Sequence, residues 1–556
     1  MPAEEDKRKK ELREILAKLE GEKKEFIEEF KPVGELTLPE KVESFEIPKE
    51  ALTISSDWEP PKIAEVDERY TVIEPYTFVS IKWDKDANEL KYLVAEPPLS
   101  EAEKKKYEFI KKFVVDVLDL NISEIRNLDE IKNYLRRKVD DLIADYEIVY
   151  TESEYNKIMY YIARDFIGFG KIEPLMQDAQ IEDISCDGVG IPVFVYHRKY
   201  GSLKTNIVFE DAEELNHFIS KLAQRCGRHI SVAEPLLDGA LPDGSRLQAT
   251  LSVGKDIAMK GSTFTIRKFT KDPLTIVDFI KFGTIPPLIA AYLWMAIEFR
   301  NSILISGGTA TGKTSCLNAL SLFIHPETKI ISIEDTPEIN LPHVHWVAKV
   351  ARAGYGAEKE GKKFGEVSMF DLLKAALRER PEVLIVGEVR GAEAYVLFQG
   401  MATGHQGLAT IHAESVDAVM NRLTTPPIQL PPGLLQHLNL VLILTFARIK
   451  GMEVRRIKEI VEIVGFKEGK LETNTLIKWV PSKDEYEFAS RKSYLLNKIS
   501  TEKGISHESI WSELNRRVLV LDWMRKNNIR NYKEVGNIIS MYYKNPVEIL
   551  KKIHGA

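Results

Sequence analysis

The sequence predicts an α/β protein centred on one parallel-sheet domain, with an α+β unit before it and mostly helical sequence after it. Three observations carry this. From Asn301 to about residue 466, apolar strand patterns alternate with loops and helical patterns, the signature of a parallel sheet with crossover helices. Between residues 150 and 270, short strand patterns surround one helical pattern. Beyond residue 466, one short strand pair precedes helical sequence that runs to the end.

A chain of 556 residues exceeds a single core, so several domains are expected. Apolar residues make up 44% and charged residues 29%, the balance of a soluble globular protein. The 77 basic and 84 acidic side chains give a formal net charge of −7, which argues against a global attraction to nucleic acid. Three cysteines, Cys186, Cys226 and Cys316, form no CxxC pair, so neither a disulfide framework nor a zinc site is expected. A cytoplasmic location follows. The N-terminal stretch MPAEEDKRKKELREILAKLE is charged throughout and does not read as a secretory signal. The most apolar stretches, Leu288 to Phe299 and Leu438 to Ala447, fall short of the ~20 residues that span a bilayer. Any membrane association is therefore expected to be peripheral.

Taken in order, residues 4–30 read as an amphipathic charged helix with Leu12, Ile15, Leu16, Leu19, Phe26, Ile27 and Phe30 near helical spacing. It is either a solvated helix or a partner-binding arm. Residues 31–66 are proline-rich and read as an extended connector. Strand patterns run from Tyr70 to Pro98 and helical patterns from Ser100 to Gly168. IEDISCDG and IPVFVYHRKYGSLKTNIVF read as strands, Glu213 to Arg228 as a helix, and LQATLS and GSTFTIRKF as further strands. A linker, TKDPLTIVDFIKFGTIPP, leads into a helix that ends near Arg300. The expected domains are a charged arm at 1–34, an N-terminal α/β region at 35–149, the α+β domain at 150–270, a linker with the first helix at 271–300, the parallel-sheet core at 301–466 and the helical region at 467–556.

SILISGGTATGKT places an apolar strand before Gly307-Gly308-Thr309-Ala310-Thr311-Gly312-Lys313-Thr314, and SCLNALSLF continues as a helix. This is GxxxxGK[ST] in the strand–turn–helix context that a phosphate cradle needs. The glycines let backbone N–H groups curl around phosphate oxygens, and the helix, opening with Ser315, aims its positive end there. Lys313 can span the β- and γ-phosphates of ATP, and the Thr314 hydroxyl can ligate Mg²⁺. Cys316 lies on the first turn of that helix, where a thiol is either packed or activated.

Two further strands end in carboxylates. KIISIEDTPEINL reaches Glu334, with Asp335 and Glu338 following, and RPEVLIVGEVRG reaches Glu388. Ligand-contacting groups sit at the carboxyl ends of an open parallel sheet. A carboxylate at Glu388 suits the Walker B duty of metal coordination or orientation of the attacking water, either alone or shared with Glu334. GMATGHQGLATIHAES contributes His405 and His412, and LATIHA reads as a strand beside the Walker B strand. A neutral imidazole at His412 could sense the γ-phosphate or hold a catalytic carboxylate.

GGTATGKT, IEDTPE, LIVGEVRG and TGHQGLATIHAES match in order the Walker A, aspartate, Walker B and histidine boxes of type II/IV secretion and pilus ATPases. The chain resembles that superfamily over residues 150–466. The preceding segments IGFGKIEPLMQDAQIEDISCDG and ALPDGSRLQAT also resemble the domain that precedes the family's motor. The flanks, including YTVIEPYTFVSIKW near the start and ELNRRVLVLDWM near the end, resemble the archaeal branch, most of all its archaellum motor ATPases and next its pilus-assembly relatives.

The resemblance implies a RecA-like P-loop motor domain after a PAS-like α+β domain, and a homo-hexameric ring with ATP and Mg²⁺ held between neighbouring subunits. Arg246 and Arg267 match the arginines that reach the phosphates, in the manner of an arginine finger. Arg378, Arg380 and Arg390, which flank the Walker B strand, are further candidates. Gly307 to Ser315 are the expected nucleotide contacts, Thr314, Glu334 and Glu388 the metal contacts, and Lys313, Glu334, Glu388, Arg246, Arg267 and His412 the catalytic set. The implied function is assembly or rotation of an archaeal surface filament through a polytopic membrane platform protein, at the inner face of the cell membrane. An archaeal type IV pilus or type II-like secretion ATPase is the alternative. A RecA-like nucleic-acid motor is a third reading, but it would need a basic channel with stacking aromatics that the motor segment lacks, so no nucleic-acid partner is expected.

Overall fold

The structure is a computed structural model that describes residues 63–554 except 118–127, 147, 254–256, 270–271, 353, 360–361, 450–451 and 468–469. The expected helix over 4–30 and nearly all of the connector over 31–66 lie outside these residues. The chain forms two compact units.

The first unit spans Glu59–Lys271 with Thr336–Glu338. Its strands are β1 (Asp67–Ile73), β2 (Thr77–Asp84), β3 (Glu89–Ala95), β4 (Ile181–Cys186), β5 (Pro192–His197), β6 (Gly201–Val208), β7 (Leu236–Ala240), β8 (Arg246–Thr250) and β9 (Thr263–Arg267). They form one sheet in the order β1-β2-β3-β6-β5-β4-β9-β8-β7. This sheet crosses residue 150, where the sequence reading divides two regions. The joint is short: β3 runs parallel to β6, with Lys91 opposite Lys204 and Tyr92 opposite Thr205. Its apolar face buries Val79, Ile81, Tyr92, Ile184, Val195, Leu247, Phe264 and Ile266, packed under α4 (Glu173–Gln177) and α5 (Ala212–Arg225).

Helices α1 (Glu101–Val117), α2 (Leu128–Asp145) and α3 (Glu152–Phe166) close a separate small core of Ile110, Val114, Leu135, Val139, Ile158 and Ile162. α3 starts where it does because Thr151 and Glu154 form a reciprocal capping box, satisfying two backbone donors that a helix start leaves free.

The second unit holds the remaining described residues. Its strands are β10 (Ile303–Gly307), β11 (Ile330–Glu334), β12 (Trp346–Val350), the small hairpin β13 (Tyr355–Lys359) and β14 (Lys362–Phe364), β15 (Val383–Val389), β16 (Gln406–Ile411), β17 (Leu440–Ile449), β18 (Met452–Lys467), β19 (Lys470–Val480) and β20 (Glu485–Phe488). The main sheet runs β12-β11-β15-β16-β10-β17-β18-β19-β20. Pairing is parallel from β12 to β17 and antiparallel beyond. The strand pair at the start of the C-terminal region thus continues this sheet.

Every residue of β10 and β11 is buried, as in a sheet covered on both faces. Alternate side chains serve the two faces. Ile303 and Ile305 join Leu293, Trp294, Phe323, Leu521 and Ile539 on one side. That side is covered by α6 (Ile276–Lys281), α7 (Pro287–Glu298), α8 (Lys313–Ser321), α13 (Tyr494–Lys503), α14 (His507–Lys526), α15 (Tyr532–Lys544) and α16 (Pro546–His554). Leu304, Ile333, Leu384, Val386 and Val441 face the other side, under α9 (Met369–Leu377), α10 (Glu393–Ala402), α11 (Val416–Thr424) and α12 (Pro432–Leu435). Leu288 through Ile297 on α7 are all buried, which explains the apolar stretch as a core helix. No helix among the described residues is long and apolar enough to cross a membrane.

Two polar nodes tie the C-terminal helices to this sheet. Glu462 on β18 is fully buried and accepts hydrogen bonds from the Tyr292 hydroxyl (2.8 Å), the Ser493 hydroxyl (2.6 Å), the Asn474 amide (2.7 Å) and the Tyr494 backbone N–H (2.8 Å). It therefore anchors the start of α13. Arg517 on α14 pairs with Glu298 and with Glu513 (3.0 Å) and lies over the Trp294 ring, itself stacked on Phe323 with centroids 5.0 Å apart.

Candidate nucleotide site

The parallel pairing of β11, β15, β16 and β10 carries their carboxyl ends to one edge of the sheet. Gly307 ends β10, Glu334 ends β11, Glu388 is the penultimate residue of β15 and His412 follows β16. Four stretches spread along the sequence from Gly307 to His412 meet here because each is the exit of a neighbouring strand. Arg378 and Arg380 instead precede β15, at the opposite edge of a seven-residue strand that rises about 3.3 Å per residue. They are excluded from the constellation by that separation, whereas Arg390 follows β15 and joins it.

The loop after β10 requires its glycines. A Cβ on Gly307 would stand 2.6 Å from Thr311 Oγ1 and 2.7 Å from the Leu444 carbonyl oxygen, so the chain can turn there only without a side chain. Gly312, at φ +86°, caps α8 in the left-handed region. Within the loop, the Thr311 hydroxyl donates to the Gly308 carbonyl (2.9 Å), as does Lys313 Nζ (2.7 Å). Ser306 Oγ donates to the Ala413 carbonyl (2.6 Å), fastening the loop base to the segment after β16. Thr309 and Ala310 are exposed at the apex, while Thr314 and Ser315 are half-buried on the first turn of α8. Cys316 is buried, and that burial pushes its thiol up to about 12, which makes it a packing residue.

The two carboxylates differ in setting. Glu334 is 2% exposed and accepts from the Ile339 backbone N–H at 3.1 Å. Glu388 is half-buried within an irregularity of the β15–β16 pairing between Val386 and Val389, the kind of bulge that re-aims a side chain. Burial alone would raise its carboxyl pKa. The Arg390 guanidinium, hydrogen-bonded to Glu388 at 2.7 Å, outweighs that effect with help from the charges of Lys313 and His412, and holds the group below its ordinary value. Thr410 Oγ1 donates to the Gly387 carbonyl (2.5 Å), fixing the backbone just before Glu388.

Arg246 and Arg267 belong to the first unit. There Arg246 pairs with Asp238 at 2.7 Å and Arg267 lies 3.7 Å from Asp183. They face each other across the β8–β9 pair, so the structure brings the two arginines to one end of one sheet.

Two residues near the loop escaped the sequence reading. Glu414 lies against Gly308, 3.1 Å from where a Cβ would stand. Its signal was available, since it falls inside the histidine box. Arg455 on β18 donates from Nε to the Ala310 carbonyl at 3.0 Å. No local pattern marks it, because the contact depends on the pairing of a distant hairpin.

The donor set fits a nucleotide and a divalent cation: a loop with glycines at its base and at the helix start, a lysine, the helix start itself, the Thr314 hydroxyl and two carboxylates on one edge.

The chain is similar to several known proteins. The family described as Type II/IV secretion system protein matches residues 168–447, half of the chain, and the description PilB3-like, N-terminal matches residues 7–98. An uncharacterised protein of Methanocaldococcus jannaschii is 38% identical over 482 residues, 82% of this chain and 86% of its own length. A putative conjugal transfer protein of Mycobacterium tuberculosis is 32% identical over 47% of this chain and 73% of its own. Among solved structures, the VirB11 ATPase of the Brucella suis type IV secretion system is 25% identical, with a TM-score of 0.26 over 52% of this chain and 95% of that one. The Legionella pneumophila ATPase DotB is 16% identical, with a TM-score of 0.39 over 66% and 94%.

Proposed function

We propose a function from two facts: the chain belongs to the type II/IV secretion system protein family, and one edge of the sheet in its second unit gathers a glycine-rich loop, two carboxylates and a histidine. The chain is an ATPase of the secretion and pilus superfamily. In the finer reading, it works as a homo-hexameric ring at the inner face of the cell membrane and drives an archaeal surface filament, the archaellum, through a polytopic platform protein. The flanking segments quoted above support this choice.

The observation that carries the reading is the convergence of Gly307, Glu334, Glu388 and His412 at the exits of adjacent parallel strands. In this reading, the backbone from Gly307 to Ser315 holds the phosphates, and Lys313 exchanges its Gly308 contact for phosphate oxygens. Thr314, Glu334 and Glu388 hold Mg²⁺, which supplies charge neutralisation on the phosphates. Glu388 stays ionised beside Arg390 and orients water, and His412 sits close enough to influence its charge. Arg246 and Arg267 serve as phosphate contacts that loosen from Asp238 and Asp183 when a nucleotide is present.

ATP turnover by the purified chain, lost on chelating Mg²⁺ and in Lys313→Ala, tests the enzymatic reading. A Lys313→Ala variant that turns over normally overturns the site. Single-stranded DNA leaves the rate unchanged, whereas stimulation would favour a nucleic-acid motor. A pilus-assembly ATPase is the second reading, supported by the PilB3-like match at residues 7–98. Cells lacking this chain separate the two, by losing archaella or losing pili.

A further inference from the structure

We propose that Arg455 is a positioning residue of the nucleotide site, a clamp reaching from β18 that holds the apex of the phosphate loop in its binding shape. The proposal rests on reading Gly307–Thr314 as the phosphate cradle. The apex is an awkward piece of backbone. Ala310 sits at φ +60°, in the left-handed region where a Cβ crowds the following carbonyl. The free loop would escape this by turning Ala310 over, and that would redirect the neighbouring N–H groups away from a bound phosphate.

Arg455 opposes that escape. Its Nε donates to the Ala310 carbonyl at 3.0 Å, a charge-assisted bond that fixes the peptide plane after Ala310. Its Cδ would stand 3.4 Å from a Cβ on Gly312. The side chain therefore lies against both residues that flank Thr311.

The topology explains how a residue so far along the chain arrives there. β10 ends at Gly307 opposite Leu444, but β17 continues to Ile449. β18 pairs with that overhang, with Arg455 opposite Phe446, so the hairpin projects past the sheet edge over the loop. The next residue, Arg456, turns to the other face, where it is 4% exposed and pairs with Asp484 at 2.8 Å. Strand alternation thus divides two adjacent arginines between a core ion pair and the loop. Lys458, also on β18, donates at 3.4 Å to the backbone carbonyl of Glu414, whose side chain lies against Gly308.

The test uses the full chain and titrates a fluorescent ADP analogue alongside kcat and KM for ATP. Loss of a hydrogen bond to a charged donor implies that Arg455→Ala weakens ADP binding and raises KM by about tenfold, with a smaller change in kcat. Arg455→Lys, which keeps one charged donor, retains part of the affinity. The decisive variant is Arg455→Ala combined with Ala310→Gly. Glycine adopts the left-handed conformation without the Cβ penalty, so the double variant binds ADP more tightly than Arg455→Ala alone. A tightly bound Arg455→Ala overturns the clamp, as does a loss that Ala310→Gly leaves undiminished, which would mean that the arginine acts otherwise than through the loop. Lys313→Ala is the control: undiminished ADP affinity there sinks the nucleotide reading itself, a result distinct from failure of the clamp.

Discussion

The Glu334 side chain lies on the backbone of Gly387: a Cβ built on Gly387 would stand 3.1 Å from Glu334 Cγ. β11 and β15 pair in parallel with Ile333 opposite Val386, so the next residue of each strand meets its neighbour at the sheet edge. The missing side chain on Gly387 makes room for the buried carboxylate of Glu334 next to Glu388.

Gly387→Ala fills that space. Overpacking costs about 1–3 kcal/mol, read as a lower melting temperature, and shifts both carboxylates enough to reduce kcat. A variant with unchanged melting and unchanged kcat would show that Glu334 can move aside freely.

Glu388→Gln keeps the shape of the site and removes its charge. ADP and ATP still bind, while hydrolysis falls by about 10²–10⁴. Normal turnover by this variant, together with an inactive Glu334→Gln, moves the catalytic duty to Glu334.

Arg390→Ala tests the electrostatics of Glu388. With the guanidinium present, the carboxyl titrates below its ordinary value. The pair therefore contributes above the unfolded carboxylate pKa, and its contribution is lost as pH falls through the depressed one. Without Arg390, burial dominates and the pKa rises, so the acid limb of the pH–kcat profile moves to higher pH. An acid limb that stays in place assigns it to another group.

Arg246→Ala and Arg267→Ala each remove a surface ion pair worth about 0–1 kcal/mol, so folding persists. As transition-state arginines they would each be worth about 10³–10⁵ in rate. If the arginine serves a neighbour's nucleotide, mixing Arg246→Ala with Glu388→Gln subunits regains activity at sites that carry both native groups. No gain on mixing, with specific activity independent of protein concentration, counts for subunits that work alone.

Glu462→Ala orphans several buried donors at once, each costing about 1–3 kcal/mol. The expected result is a large drop in melting temperature, with weakened docking of α13. Melting like that of the native chain would show that water replaces the carboxylate.

The sequence by itself determined the local chemistry. Strand, glycine loop and helix are contiguous around Gly307–Ser315, so that strand–loop–helix unit was legible from spacing alone. The strands ending in Glu334 and Glu388 were legible because a strand covered on both faces is a continuous apolar run. Only the tertiary structure decided the lateral order of the strands, and with it the rest of the site. It joined β3 to β6 across residue 150, placed β19 and β20 on the sheet of the second unit, left Arg378 and Arg380 at the far edge, and carried Arg455 onto Ala310. The physical reason is that hydrogen bonding between strands is the same for any partner. A strand's own residues state that it will pair, while its neighbour is chosen by how the two faces of the whole sheet are buried.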